Sequence, residues 1–429
     1  MSEDKRLHVT LVTSHFHPDY SATGQLLTEL AVGLDGMGCE VSVFTARPTY
    51  ANRPVPRFEV HEGVEVHRVI STSFDKNLPI GRIFNSCTYF LSVSWGLLWR
   101  SQRGPLLIVS NPPFLGLVGY LLRLLRGRPF VYLIHDVFPD AAVTLGYLKA
   151  DGWVSRIWDR VNRLVLTHAS RIVVLGEGTK TLIARKGGDG VADRIRVIHN
   201  WVDEAFIRPL PKSENPFVRE HGLEGRFVVL YAGNLGLGQD LETVIGAAER
   251  VRDRDMVFLF IGEGGKKKKL QAMVQERGLD NVRFLPYQPR DVLPYSATCS
   301  DVSLVALERG VEGLSMPSKL YTIMASGRPV VAIVEKGLEV ARIVAEGNCG
   351  ESVEPGDVDG LVRVLDHYGS NPEICERDGR NGRAHFQAHF TRTLALREYF
   401  EVLESARPDG NGTRGAQGAG RESPTPAPH

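Results

Sequence analysis

Short runs of apolar, β-branched residues alternate along this chain with stretches whose apolar positions recur every three or four residues. That alternation predicts parallel strands joined by crossover helices. In the first half the expected strands are His8–Thr13, Val41–Thr45, Val66–Ile70, Leu106–Val109, Phe130–Ile134, Arg171–Leu175 and Ile195–His199. A Pro- and charge-rich stretch, HNWVDEAFIRPLPKSENP, then reads as a linker. The pattern restarts at Phe227–Ala232, Val257–Ile261, Val282–Leu285, Val302–Leu307 and Val330–Ile333. The fold class is therefore α/β, with doubly wound parallel-sheet domains at 1–205 and 206–391. A last helical pattern, 392–407, precedes a Gly- and Pro-rich tail, 408–429, too poor in apolar residues to fold. Ligands of open parallel sheets bind beyond the carboxyl ends of the strands, so two such domains face to face would share a cleft.

Composition narrows the function classes. A chain of 429 residues with 43% apolar and 24% charged residues can bury about two ordinary cores. Residues 1–205 hold 23 Lys/Arg against 19 Asp/Glu and residues 206–429 hold 28 against 31, an asymmetry too weak for a nucleic-acid partner. The five cysteines are odd in number and widely spaced without a CxxC, which suggests neither a disulfide framework nor a zinc site and fits a reducing cytoplasm. The amino terminus starts charged and passes straight into a strand, unlike a signal peptide. The most apolar stretch, Cys87 to Trp99, is shorter than the roughly 20 residues that cross a bilayer. It reads either as a buried core helix or as an interfacial helix in peripheral contact with the inner face of the cell membrane, Trp95, Trp99 and flanking arginines meeting headgroups. The basic pattern Leu117 to Arg128 adds weight to the second reading.

The segment VEGLSMPSKLYTIMASGRPVVA carries the sharpest chemical signal. Ser315 suits a cap, Pro317 a first helical position, and Gly327 a helix end, which puts Lys319 in the first turn. A helix start carries partial positive charge, so a lysine there implies an anion in front of it, unless the side chain is simply solvated. Glycines at the start of the second domain fit the same anion: YAGNLGLGQDLETVI places Gly233, Gly236 and Gly238 between a strand and a helix, where backbone N–H groups can approach a diphosphate. Packing alone also produces such turns. The spacing is neither that of a dinucleotide-binding GxGxxG nor of a P-loop, which favours a nucleotide sugar over NAD or ATP.

Further candidates sit at other strand ends. Gly262, Gly264 and Gly265 follow a strand and precede lysines 266–269, most of which read as a solvated helix start. Leu285, with free backbone groups, and Tyr287 could hold a flat base. On the first domain, His15, His17 and the small residues Ala22, Thr23 and Gly24, between strand and helix, form an acceptor-side wall, and His135 ends a strand at the expected cleft. The two DxD patterns, Asp253–Asp255 and Asp357–Asp359, lie away from strand carboxyl ends. No metal site and no cofactor are expected, and cationic side chains must neutralise the diphosphate.

Five segments in order, HFHPDYSATGQLLTELA, HDVFPDAAVTLG, VIHNWVDEAF, YAGNLGLGQDLETVI and MPSKLYTIMASGRPVVA, resemble retaining glycosyltransferases of family 4 with the GT-B fold. The likeness spans about residues 7–405 and is nearest to the branch that builds bacterial surface polysaccharides such as colanic acid and O-antigen. It implies that Gly24 lies in an acceptor-side loop, His135 near the reacting centre, and Lys319 with Gly236 against the donor diphosphate. It also implies that Ser318 and Thr322 flank that site and that the last helix returns to brace the first domain. Two departures limit it. Many relatives carry an arginine and a lysine where this chain has Asn234 and Gln239. The E-x7-E pattern is incomplete: counted from Glu312 its first half fits, which makes Glu312 a candidate for contacting the donor sugar, whereas counted back from GRPVV it is Leu314 and Thr322 that hold the two glutamate positions, so that Thr322 would face the ribose. The expected activity moves a hexose or deoxyhexose from a nucleoside diphosphate sugar to a growing glycan, the acceptor being a glycan or a polyprenyl-linked glycan. A GT-B nucleotide-sugar epimerase and a non-catalytic partner in glycan assembly are the alternatives.

Overall fold

The computed structural model describes residues 6–19, 21–48, 55–72, 74, 79–100, 104–144, 146–311 and 316–407. Glu312, Ser315 and the tail 408–429 therefore lie outside the described residues. Two sheets organise the chain. The first uses β1 (His8–Val12), β2 (Glu40–Thr45), β3 (Phe58–His61), β4 (Val64–Arg68), β5 (Leu106–Val109), β6 (Phe130–Ile134), β7 (Arg171–Val174) and β8 (Ile195–Val197). The second uses β9 (Phe227–Ala232), β10 (Met256–Ile261), β11 (Val282–Leu285), β12 (Val302–Ala306), β13 (Val330–Ile333) and β14 (Gly350–Val353). Their strand orders are β3-β4-β2-β1-β5-β6-β7-β8 and β11-β10-β9-β12-β13-β14. All pairings are parallel except β3 with β4.

Helices cover both faces of each sheet. The first half contributes α1 (Ala22–Gly36), α2 (Pro79–Leu98), α3 (Gly116–Arg126), α4 (Asp140–Thr144), α5 (Trp153–His168) and α6 (Glu177–Gly187). The second contributes α7 (Pro216–Glu220), α8 (Glu242–Arg250), α9 (Lys267–Glu276), α10 (Leu293–Ala297), α11 (Lys319–Ala325), α12 (Glu339–Glu346), α13 (Val358–Ser370), α14 (Pro372–His389) and α15 (Arg392–Ser405). Strand alternation explains why continuous apolar runs are needed. In β5, Leu107 and Val109 join the core under α1 and α15, whereas Leu106 and Ile108 join the opposite core under α2, α3, α5 and α6. Neither face of the strand meets water.

Two strands depart from the expected list. β3 is half-exposed, and the Glu62–Gly63 turn, with both residues at positive φ, folds it antiparallel onto β4. β14 reads GESV, with no apolar run to announce it. The supposed linker is packed: Trp201 and Ile207 are buried, and Val202 bridges Thr391 in parallel. α15, capped by Thr391, crosses α1 at Gly33, where any larger side chain would overlap Leu396.

Candidate active site

Three contacts between the halves show which edges face each other. Arg290, in the loop after β11, donates to Gln25 Oε1 at 3.1 Å and Glu29 Oε1 at 2.7 Å on α1, the helix after β1. Glu339, at the start of α12 after β13, accepts from the Glu177 and Gly178 amides at 2.9 and 3.2 Å, at the start of α6 after β7. Tyr321 on α11 lies 3.3 Å from His199 Nδ1, just past β8. The carboxyl edges of both sheets therefore face one another. In sheet order β6 lies between β1 and β7, and β9 and β12 lie between β11 and β13. The ends of β6 and β9, bearing His135 and Gly233, thus sit between the Arg290 and Glu339 straps, in the cleft where open parallel sheets take ligands, and Lys319, at the start of the helix after β12, reaches Gly233 there.

Lys319 is the first residue of α11, a helix of seven residues. The residue ahead of it, Ser318, makes no side-chain cap, and Leu320 N donates to Pro317 O at 3.2 Å; the cap expected of Ser315 lies outside the described residues. The ammonium reaches back across β9. It donates to the Tyr231 hydroxyl, stands 3.6 Å from the centre of that ring, and lies where a Cβ on Gly233 would touch it at 3.3 Å. No carboxylate among the described residues pairs with it. Burial pushes its pKa from 10.5 down to about 7. Desolvation, more than repulsion by so short a helix, is what the lysine costs here.

The glycine turns are tightly built. Gly233, Gly262 and Gly264 have φ of +137°, +148° and +159°. A Cβ on Gly262 would overlap the Gly233 carbonyl oxygen, and one on Gly264 the Leu235 carbonyl. Gly262 thus serves backbone packing between the two turns as well as bordering the site. Gly236 N donates to Gln239 Oε1 at 2.9 Å, so a phosphate oxygen reaching that amide must displace the carboxamide. Asn234 holds the turn through its carbonyl, which accepts from Tyr231 at 2.8 Å.

The other expected residues are placed as follows. The Leu285 carbonyl accepts from Gly262 N at 3.0 Å, one of the two hydrogen bonds its oxygen can take. Tyr287 is exposed beside this edge, its hydroxyl 3.5 Å from the Glu263 carbonyl. Ala22, Thr23 and Gly24 form the first turn of α1 rather than a connection, because Ser21 accepts from Gly24 N at 3.1 Å and starts the helix there. His15 Nδ1 lies 2.7 Å from Asp19 Oδ2, and Asp19 Oδ1 accepts from Ser21 N at 3.0 Å, so one buried carboxylate fixes both the histidine and the cap. Thr322, one turn beyond Lys319, is half-buried. Lys266 is not solvated: its ammonium bonds Glu242 at 2.8 Å, Glu308 at 2.5 Å and the Gln239 carbonyl at 2.7 Å, and so pairs with two acids of the trio Asp240, Glu242 and Glu308.

On the facing edge His135 follows β6, its amide donating to Ser110 Oγ at 3.0 Å. Burial lowers its pKa to about 4, so the ring is neutral at physiological pH and can both donate and accept. Sequence reasoning missed Tyr231, Arg290 and Glu339. Tyr231 sits in a strand run that reads as core, and the other two act only through residues some 160 to 260 positions away.

Comparison with known proteins agrees with this geometry. Residues 22–201 match the glycosyl transferase 4-like domain and residues 214–385 the glycosyl transferases group 1 domain. The glycosyltransferase WbjE of Pseudomonas aeruginosa is 32% identical over 305 residues, covering 70% of this chain and 74% of its own. The colanic acid biosynthesis glycosyl transferase WcaI of Escherichia coli K12 is 28% identical over 362 residues, 81% of this chain and 88% of its own. In fold, the chain superposes on Anabaena HepE, solved in complex with UDP-glucose, with a TM-score of 0.71 at 17% identity, over 93% of this chain and all of the other. The chain belongs to the family 4 glycosyltransferases of the GT-B fold, related to enzymes of surface polysaccharide biosynthesis.

Proposed function

We propose that this glycosyltransferase moves a hexose or deoxyhexose, with retention of configuration, from a nucleoside diphosphate sugar to a growing lipid-linked glycan in the cytoplasm. The observation that carries the donor half is the Lys319 ammonium, buried against Tyr231 and Gly233 with no described carboxylate beside it. As the glycosidic bond opens, charge gathers on the leaving β-phosphate, and a preorganised cation stabilises that charge more than it stabilises the intact donor. Ser318, Thr322 and, after Gln239 moves aside, the Gly236 amide border the same space. The neutral His135 ring, across the cleft, positions donor or acceptor by a hydrogen bond; His15, held by Asp19, with Thr23 and Gly24 lines the acceptor side, and Tyr287 offers a face to the base.

Transfer without a metal is supported by the engagement of the acids. Asp255 pairs with Arg226, Asp357 caps α13, Asp359 pairs with Arg250, and Lys266 pairs with Glu242 and Glu308. The test is turnover by Lys319→Met with a soluble acceptor analogue. A folded variant slowed about 10²-fold or more fits the reading; normal turnover would remove Lys319 from it.

A further inference from the structure

The outer surface of α2 is unlike that of a helix facing water. Among its described residues the exposed positions, Ile83, Phe84, Cys87, Leu91, Trp95 and then Trp99 beyond its end, are all apolar, and from Phe84 on they recur about every four residues. Leu91, Trp95 and Trp99 expose 65%, 67% and 67% of their surface, although the opposite stripe, Tyr89, Val93 and Leu97, is already buried in the core. Polar residues such as Asn85, Thr88 and Ser92 lie between the two stripes, so the helix has one apolar stripe in the core and a second one facing outward, a surface that marks an interaction site. The neighbouring α3 extends the surface with Leu124 and Leu125, exposed at 66% and 59% between Arg123 and Arg126. Arg126 also donates to the Leu98 carbonyl, tying the two helices together. On α5, Trp153 and Ile157 are exposed beside Arg156 and Arg160.

Charge tells which occupant this face suits. Residues 76–135 contain seven Lys or Arg and not one Asp or Glu, in a chain whose formal charge is only +1. A second copy of the same face would bring arginines against arginines, and a water-filled surface would need no tryptophans. Indoles flanked by guanidinium groups match the boundary between acyl chains and anionic headgroups. No described helix is long and apolar enough to cross a bilayer, so the contact is one of lying on the surface.

We propose that the α2–α3–α5 face docks the enzyme onto an anionic lipid bilayer, with Leu91, Trp95 and Trp99 inserted at headgroup depth and Arg123 and Arg126 on lipid phosphates. The proposal takes its purpose from the lipid-linked acceptor of the proposed function. It does not depend on it physically, because vesicle binding needs neither donor nor acceptor.

The experiment is flotation of the full chain with vesicles of phosphatidylcholine, with and without phosphatidylglycerol. A parallel reading comes from an environment-sensitive fluorophore on Cys87, the one exposed free cysteine among the described residues. Expected are flotation with the anionic vesicles and a blue shift at Cys87. The variant L91S/W95S/W99S should stay soluble while keeping its melting temperature, and Arg123→Glu should weaken anionic binding about fivefold or more. Wild-type protein left in solution with anionic lipid would overturn the proposal. So would undiminished flotation of the triple variant, or a wild-type dimer that this variant converts to monomer without any vesicle binding. Loss of glycosyl transfer in a protein that floats would instead count against the proposed function alone.

Discussion

An ammonium group resting on a phenol ring, with no described carboxylate beside it, is an electrostatic arrangement that an anion completes. Lys319 was legible in the sequence because a lysine just ahead of LYTIMASG, framed by Pro317 and Gly327, is out of place without a counterion. Its partner Tyr231 was not, since an aromatic inside FVVLYA reads as core and only the crossing of β9 by the lysine stem gives it a second role. Lys266 shows the opposite failure, whereas Lys268 and Lys269 of the same run are exposed. A run of like charges is usually solvated, and nothing local says that Glu308, 42 residues on, reaches Lys266. At this scale the glycine turns give a stability prediction. Gly262→Ala places a methyl group on the Gly233 carbonyl and a side chain at φ +148°, so the fold should lose about 2 kcal/mol or more, read as a shift of the denaturation midpoint. An unchanged midpoint would show that the two turns separate easily.

Whole elements were the most readable level. β5, β6, β9 and β13 fall on the residues that their apolar runs mark, because strands buried on both faces leave continuous hydrophobic signatures. β3 and β14 were missed for the converse reason: each lies at a sheet edge, where one side of the pairing is open and apolar runs are not required. The straps between the halves were illegible, being made by single side chains of distant elements. Glu339 accepts two amides at the start of α6, a charge-assisted contact at a helix N-terminus, and Gly176 leaves room for it, since a Cβ there would overlap the carboxylate. If that contact holds the halves together during turnover, Glu339→Ala should lower kcat/KM about tenfold or more, the equivalent of one charged hydrogen bond, and raise the radius of gyration in small-angle scattering. Unchanged kinetics and dimensions would make it an idle contact.

At the level of the whole molecule, two parallel sheets meeting carboxyl edge to carboxyl edge make a cleft whose one wall bears a cation and glycine turns and whose other bears a neutral histidine. Because Asp255, Asp357 and Asp359 of the DxD patterns are engaged in ion pairs and a cap, transfer should continue undiminished in excess EDTA; an EDTA block reversed by added magnesium or manganese would contradict a metal-free reaction. A thermal-shift series with UDP-, GDP- and TDP-sugars should show one base raising the melting temperature selectively, since only a ligand of the folded state stabilises it.

The central claim concerns one proton. In the free enzyme Lys319 titrates near 7, and a diphosphate beside it must raise that value. Donor binding should therefore weaken as pH rises above 7, and at pH 8 each binding event should take up a fraction of a proton approaching one. Isothermal calorimetry of the nucleoside diphosphate at pH 8, in buffers of different ionisation enthalpy, measures that uptake directly. Uptake in the wild type that disappears in Lys319→Met, with affinity falling about tenfold or more, is the predicted result. Equal affinity and equal proton uptake in the two proteins would contradict the account.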